Sequence, residues 1–286
     1  METIKVKTPA KINLTLEVMN TRPDGFHDIQ SIMQAISLCD YVTISAEPSD
    51  TTEITLSGTS DVIPYNEKNL AYKAAKLLLD KANENYKVHI YIEKNIPIEA
   101  GLAGGSANAA GVFYGLNKLI KNKLTIEQIT ELCAQIGSDI SFCLFGGTKL
   151  ATSKGDDLKK LDTPELKLVL IKPKSFGISA KEAYQKYDLL EDKSNQNATF
   201  HMMMAINKKQ DVSNLMVNDL ERAIDADYPK IGEIREYLLS IGCKAAMMSG
   251  SGSTVFGIID KDIEVPSYPD AECFIAESVN HGVRVV

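Results

Sequence analysis

From Ile4 to Val18 the apolar residues fall on even positions (Ile4, Val6, Ala10, Ile12, Leu14, Leu16, Val18), with Thr8 the exception. Lys5, Lys7, Lys11, Asn13, Thr15 and Glu17 hold odd positions. A period of two predicts a strand, interrupted near Pro9, which has no N–H to give to a ladder. Lys11, Asn13 and Thr15 then share the face opposite the apolar one. Further strands are expected over 28–37, 41–47 and 53–57. NLAYKAAKLLLDKA at 69–82 changes the period, placing Leu70, Ala74, Leu77 and Leu78 at helical spacing. KVHIYIEK returns to alternation, and a helix is expected from Ser106 through Val112, Phe113, Leu116 and Leu119. Thr125 and Gln128 have capping-box spacing before a helix that Gly137 ends.

The second half repeats this mixture. LKLVLIKP is a strand closed by Pro173, and Ser179 with Glu182 reads as a capping box opening a helix through Tyr184 and Tyr187. Helical patterns cover 198–221 and 229–241, with Pro229 suited to a first turn. KAAMM and VFGIID read as strands flanking the turn SGSGST. Strands and helices in both halves indicate an α+β fold of two domains, residues 1–160 and 161–286, divided within KGDDLKKLDTPE.

Composition narrows the function classes. The 286 residues carry a formal net charge of −7, which argues against a nucleic-acid binder relying on bulk positive charge. No apolar run approaches the length of a membrane span, and the N-terminus alternates where a signal peptide would be continuously apolar, so a cytoplasmic protein is expected. The five cysteines form no C-x-x-C pair and the four histidines no H-E-x-x-H, so neither a zinc site nor a disulfide framework is indicated.

The stretch PIEAGLAGGSANAAG at 97–111 lies between a predicted strand and a predicted helix. A glycine-rich turn there brings free N–H groups together at the positive end of the helix, an arrangement that suits phosphate. Gly101, Gly104 and Gly105 allow close backbone approach, and a side chain at Gly104 is expected to occupy the phosphate's place. Ser106 can cap the helix or offer its hydroxyl to a phosphate or its metal ion. The bland alternative is a structural turn whose alanines pack helix against sheet. Neither G-x-x-x-x-G-K-[ST] nor an early G-x-G-x-x-G is present, so a Walker loop and a dinucleotide domain are unsupported.

P-x-x-x-G-L-A-G-G-S-A-N at 97–108 closely resembles the ATP loop of the small-molecule kinases that phosphorylate galactose, homoserine, mevalonate and phosphomevalonate. TPAKINLTLEV at 8–18 and MSGSGSTVFGI at 248–258 resemble that family's other two signatures, in the same order. The resemblance implies an N-terminal domain like the ribosomal protein S5 domain 2 and a ferredoxin-like C-terminal domain. TRPDGFHDIQ from residue 21 is similar to the cytidine-binding segment of the members whose acceptor is a cytidine diphosphate-linked methylerythritol, and GSDISFCLFGG from residue 137 fits the same members. Here Phe26 stands where those members more usually have tyrosine. Where the family runs a helix after VFGIID, this chain has Pro266 and Pro269.

By that resemblance Asp139 takes the proton of the acceptor's 2-hydroxyl, Lys11 lies beside it, and Asn13 contacts the substrate. Phe26 stacks on cytosine, His27 bonds the base edge, and Tyr184 closes the other side, with Tyr187 as competitor. Pro97, Ile98, Glu99, Ala100, Gly101, Leu102, Ala103, Gly104, Gly105, Ser106, Ala107 and Asn108 hold ATP, with Asn69 and Lys94 at its adenine. Mg²⁺ rides on the phosphates with no protein ligand, and Gly250, Ser251 and Gly252 help close the phosphate site. The implied partner is a small molecule, with no nucleic acid or membrane, and the chain is a monomer or homodimer. Residue by residue, plainer readings stand beside these: Lys11 and Lys94 as solvated lysines, Asp139 as a helix cap, Phe26 and His27 as packing. At the level of the whole chain, the alternatives are a kinase with another alcohol acceptor and a nucleotide binder without catalysis.

Overall fold

The computed structural model describes residues 1–191, 193, 197–261 and 264–286. Its first two strands are long. β1 (Glu2–Thr21) and β2 (His27–Pro48) pair antiparallel along nearly their whole length. The two strands expected over 28–37 and 41–47 are therefore one, and the break expected near Pro9 is a bulge. Pro9 pairs with Cys39 but Lys11 with Ala35, so Ala10 alone faces Ile36, Ser37 and Leu38. The Lys11 N–H leaves the ladder there and donates to the Leu102 carbonyl at 3.2 Å. A bulge beside a proline re-aims the chain without ending the strand.

β3 (Glu53–Gly58), α1 (Leu70–Ala82), β4 (Tyr86–Glu93), α2 (Gly104–Leu119), α3 (Ile126–Ile136), α4 (Ser138–Phe145), β5 (Thr148–Thr152) and β6 (Asp157–Leu161) complete the first half. Asn69 caps α1, accepting from the Ala71 N–H, and both arms of the Thr125–Gln128 capping box are formed at α3. The apolar faces of α1 and α2 close over Val6, Ile12, Ile44 and Ile90 of the sheet, making one core.

The second half comprises β7 (Lys167–Pro173), α5 (Ala180–Asp188), α6 (Ala198–Asn207), β8 (Val217–Asn218), α7 (Asp219–Ile224), α8 (Pro229–Ser240), β9 (Ala245–Met248), β10 (Val255–Ile259), β11 (Ala271–Glu277) and β12 (Arg284–Val285). The helix expected over 198–221 is thus broken. Asp211 bonds the Ser213 N–H at 2.9 Å and Asn218 bonds the Leu220 N–H at 3.0 Å, local caps that compete with a continuous helix. Only one arm of the Ser179 box forms, because Glu182 accepts instead from the Tyr228 hydroxyl at 2.5 Å. The antiparallel sheet runs β11-β7-β10-β9, the 4-1-3-2 order of a ferredoxin-like domain. Among the described residues no helix separates β10 from β11, and none is long and apolar enough to cross a membrane.

The polar face of β1 is not solvated. Lys11, Asn13, Thr15 and Glu17 are all buried, because the second half of the chain folds onto them. β8 pairs parallel with Thr15 and Leu16, Asp219 accepts the Val18 N–H at 2.9 Å, and Thr15 and Thr199 share a hydrogen bond of 2.9 Å. The Glu17 carboxylate accepts the Ala198 and Thr199 N–H groups at 2.9 and 2.8 Å, capping α6 at its positive end. Removing that carboxylate leaves two buried donors without a partner. Glu17→Ala should cost about 2–3 kcal/mol in urea unfolding, and a loss below about 0.5 kcal/mol would contradict this account of the junction.

Candidate active site

A cavity of about 930 Å³ opens where the polar face of β1 emerges from between the two halves. Every residue from Pro97 to Ser106 lines it, with Asn108, Lys11, Asn13, Asp139 and Gly250. The loop enters α2 differently from expectation. α2 begins at Gly104, after Ala103 in the left-handed region at φ 58°, and no side chain caps it. Ser106 is therefore not the cap but a residue of the first turn, its side chain on the cavity wall.

This loop interlocks with the turn between β9 and β10. A Cβ at Gly101 would overlap the Ser249 carbonyl oxygen, so only glycine permits the approach. The Ser249 hydroxyl bonds the Gly101 carbonyl at 3.0 Å, and the Thr254 N–H bonds that of Ala100 at 3.3 Å. Ser251 reaches the cavity with Gly250. Gly252 does not: its open side is filled by Met248 and Ile178. Ala107 likewise faces the core, wholly buried. Both support the loops from behind.

Beneath the loop lies a residue the sequence did not single out. Asp40 has no exposed surface. One of its oxygens accepts the Asn95 and Ile96 N–H groups at 2.6 and 2.7 Å, and the other accepts Lys94 Nζ at 2.7 Å and Asn108 Nδ2 at 2.8 Å. Lys94 is thus a buried ion-pair partner, not a solvated lysine. Its Nζ also donates to the Ile96 carbonyl, and burial lowers its pKa against the opposing pull of Asp40. Asn108 is turned toward Asp40, and Asn69 spends its amide on Ala71 N and Pro64 O while still bordering the cavity. The one available signal for Asp40 was an acid at the seam between two apolar runs.

Lys11 Nζ lies 2.6 Å from Asn13 Oδ1 and 3.8 Å from Asp139 Oδ2, with the Lys11 side chain 6% and that of Asp139 32% exposed. Asp139 sits in the first turn of α4, where the helix dipole favours a carboxylate. Asn13 is held from behind by Ser31, through Nδ2 to Oγ at 2.8 Å. These side chains present a cation, an amide and a partly open carboxylate to one space.

At the other end of the cavity His27 stacks on Tyr184, the ring centroids 4.8 Å apart and the planes within 16°. An imidazole nearly parallel to the phenol presents its edge to whatever stacks on the phenol beside it. Burial, reinforced by the Asp139 charge, pushes the Tyr184 hydroxyl up. Tyr187 is core, its hydroxyl bonded to the Val18 carbonyl at 3.1 Å, so Tyr184 is the tyrosine of the cavity. Asp188, not anticipated from the sequence, holds His27 Nε2 at 2.8 Å. Phe26 stands 59% exposed at the rim with the Lys154 ammonium 5.6 Å from its ring centre.

Two family models match the chain: the GHMP kinases N terminal domain over residues 69–147 and the GHMP kinases C terminal over 197–266. The fold and the interlocked glycine loops are thus those of a GHMP kinase. Over 263 residues the chain is 39% identical to the 4-diphosphocytidyl-2-C-methyl-D-erythritol kinase of Shouchella clausii (91% of this chain, 87% of that one) and 40% identical to that of Bacillus subtilis (91% and 89%). The chain belongs to the 4-diphosphocytidyl-2-C-methyl-D-erythritol kinase family. A crystal structure of a 4-(cytidine 5'-diphospho)-2C-methyl-D-erythritol kinase superposes with TM-score 0.79 at 27% identity, covering 96% of this chain and 99% of that one. A homoserine kinase from Cytophaga hutchinsonii shares the fold at TM-score 0.74 and 17% identity, covering 100% and 98%.

The glycines of the loop are not equivalent. A Cβ on Gly104 would stand 2.7 Å from Lys94 Nζ and 3.1 Å from Ile96 Cγ2, whereas one on Gly105 meets only Leu70 Cδ1 at 3.7 Å. A side chain at Gly104, expected to take the phosphate's place, would also displace Lys94 from Asp40. Gly104→Val should lower stability by about 2–3 kcal/mol, while Gly105→Val stays within about 1 kcal/mol of the parent, as read by thermal denaturation. Equal losses in the two would refute the distinction.

Proposed function

We infer that this chain transfers the γ-phosphate of ATP to the 2-hydroxyl of 4-diphosphocytidyl-2-C-methyl-D-erythritol, in the non-mevalonate route to isoprenoid precursors. The observation that carries the reading is the pair Lys11–Asp139, 3.8 Å apart, on the same cavity as the glycine loop. Asp139 accepts the proton of the acceptor hydroxyl as its oxygen bonds to the γ-phosphorus; the bond from that phosphorus to the β–γ bridging oxygen breaks, and ADP leaves with the electron pair. Lys11 stabilises charge gathering on the acceptor oxygen, and Asn13 positions it.

The free N–H groups of residues 101–106 receive the phosphates at the start of α2. Asn69 and Lys94 border the adenine's place. Cytosine lies between Phe26 and Tyr184 with His27 at its edge, a mode suited to an unpaired base. Mg²⁺ fits as an ion held mainly by phosphates and water. The Ser106 hydroxyl would be an oxygen donor on the wall, while among the described residues no group of three or more His, Cys, Asp or Glu could hold a metal. Mg²⁺ would there neutralise charge on the leaving phosphates. We place the domain division between residues 160 and 161, at the last residue of β6, and the enzyme in the cytoplasm as a monomer or homodimer.

A coupled assay of ADP release tests the reading, with the cytidine diphospho-substrate in one arm and mevalonate in the other. Release with the first alone is expected; release with mevalonate alone would favour another acceptor, and release with neither a binder without catalysis. Asp139→Asn should lower kcat by about 10²–10⁴-fold while ATP affinity stays within about threefold, and undiminished turnover would remove Asp139 as the base. Gly105→Val should weaken ATP binding by about tenfold or more in calorimetry, since its added side chain projects from the loop that receives the phosphates.

A further inference from the structure

Asn218 has no part in the mechanism above, yet its side chain is fully committed. It is 5% exposed. Nδ2 donates to the carbonyls of Met248 and Gly250, each at 2.8 Å, and Oδ1 accepts the Leu220 N–H at 3.0 Å. The Gly250 carbonyl lies in the turn that interlocks with the glycine loop, and Met248 is the last residue of β9, where that turn begins. The same turn is gripped from its other side, where the Met248 N–H donates to Glu221 Oε2 at 2.7 Å.

The turn so held reaches the reacting groups. The open side of Gly250, at φ +55°, looks onto three atoms: the Gly101 carbonyl oxygen, Lys11 Nζ and Asn13 Oδ1, which would lie 3.1, 3.2 and 3.3 Å from a Cβ there. No room is left between this peptide and the Lys11 ammonium for a side chain, so a shift of the turn is felt by Lys11 and by the loop together. Asn218 also lies on β8, whose ladder with Thr15 and Leu16 is continuous along β1 with Lys11 and Asn13. One amide therefore references the turn to the strand that carries the ammonium.

We propose that Asn218 is a positioning residue for phosphoryl transfer: by holding the Met248 and Gly250 carbonyls it keeps the second glycine turn seated against Lys11, Asn13 and Gly101, and so keeps Lys11 aligned with Asp139. The proposal rests on the kinase reading and adds to it a residue that touches neither substrate. A structural role alone, as the cap of α7, predicts something different, and the two can be separated with one isosteric change. Asn218→Asp keeps the shape and the oxygen that caps Leu220, but it sets an acceptor against two carbonyls that now receive donors.

In the full-length enzyme, N218D should lower kcat by about 30- to 100-fold, as expected when reacting groups lose alignment. The KM for the cytidine diphospho-substrate should stay within about threefold, and that for ATP should change less than kcat does. A carboxyl facing two carbonyl oxygens has its pKa raised, and its neutral form regains one O–H donor, so the ratio of N218D to parent kcat should climb as pH falls from about 8 to 6. N218S, whose hydroxyl still caps α7 but cannot reach as two donors, should show the same fall in kcat without the pH recovery. All rates are referred to the folded fraction measured by circular dichroism, so a variant that only loses stability is recognised. A parent inactive on this substrate would indict the kinase reading itself. With an active parent, kcat within about threefold in both variants, or an N218D defect that does not change with pH, would overturn the proposal.

Discussion

A single fully buried carboxylate sets the geometry on which this site depends. Asp40 receives four donors on two oxygens: two backbone N–H groups just past the end of β4, the Lys94 ammonium, and the Asn108 amide from the second turn of α2. An isolated carboxylate could not be buried at that depth, and neither could Lys94 without it. The cost of leaving any one of them unpaired makes the arrangement close to all-or-none. Its effect is to tie both ends of the glycine loop to β2, so that the backbone donors between them are held in place along the cavity wall. Preorganised donors of this kind need not reorganise during the reaction.

β1 does the complementary work of joining the halves. Its apolar face passes from the first core (Val6, Ile12, Leu14) into the second (Leu16, Val18), while its polar face runs from Lys11 and Asn13, which look into the cavity, to Thr15 and Glu17, which receive α6. The site therefore exists only where the second half has folded back. The loop after β7 reinforces that closure. Lys172 donates to the Pro173 and Phe176 carbonyls at 2.6 and 2.8 Å, and the Ser253 hydroxyl shares the latter at 3.1 Å. The helix that follows carries Tyr184, so the His27–Tyr184 corner and the two glycine loops are fastened to the same pieces of backbone.

Much of the architecture was legible in the order of residues. The two-residue period of β1, the helical spacing of 69–82, Pro229 at the first turn of α8 and the Thr125–Gln128 box all appear where the pattern put them. So does the glycine-rich junction, together with Lys11, Asn13, Phe26, His27, Asp139 and Tyr184 around one cavity. The readings that changed were those decided by distant partners. Pro9 bulges the strand where a break was expected, because β2 supplies three residues against one. The run over 198–221 breaks because Asp211 and Asn218 find closer backbone groups than a helix would offer them. Gly104 packs against the Lys94–Asp40 ion pair as well as bordering the cavity.

Periodicity, capping and turn chemistry act between residues a few positions apart, so the sequence by itself determined the elements, the α+β mixture and the kinds of side chain available to a phosphate site. Which of those side chains would be buried, and against what, was left to the tertiary structure. Asp40 meets Lys94 and Asn108 across 54 and 68 residues, and Asn218 meets Met248 and Gly250 across 30 and 32. A carboxylate or an amide has the same local propensities whether it ends in water or in a core. Only the approach of remote backbone, and the energetic demand that every buried polar group find a partner, distinguishes the two.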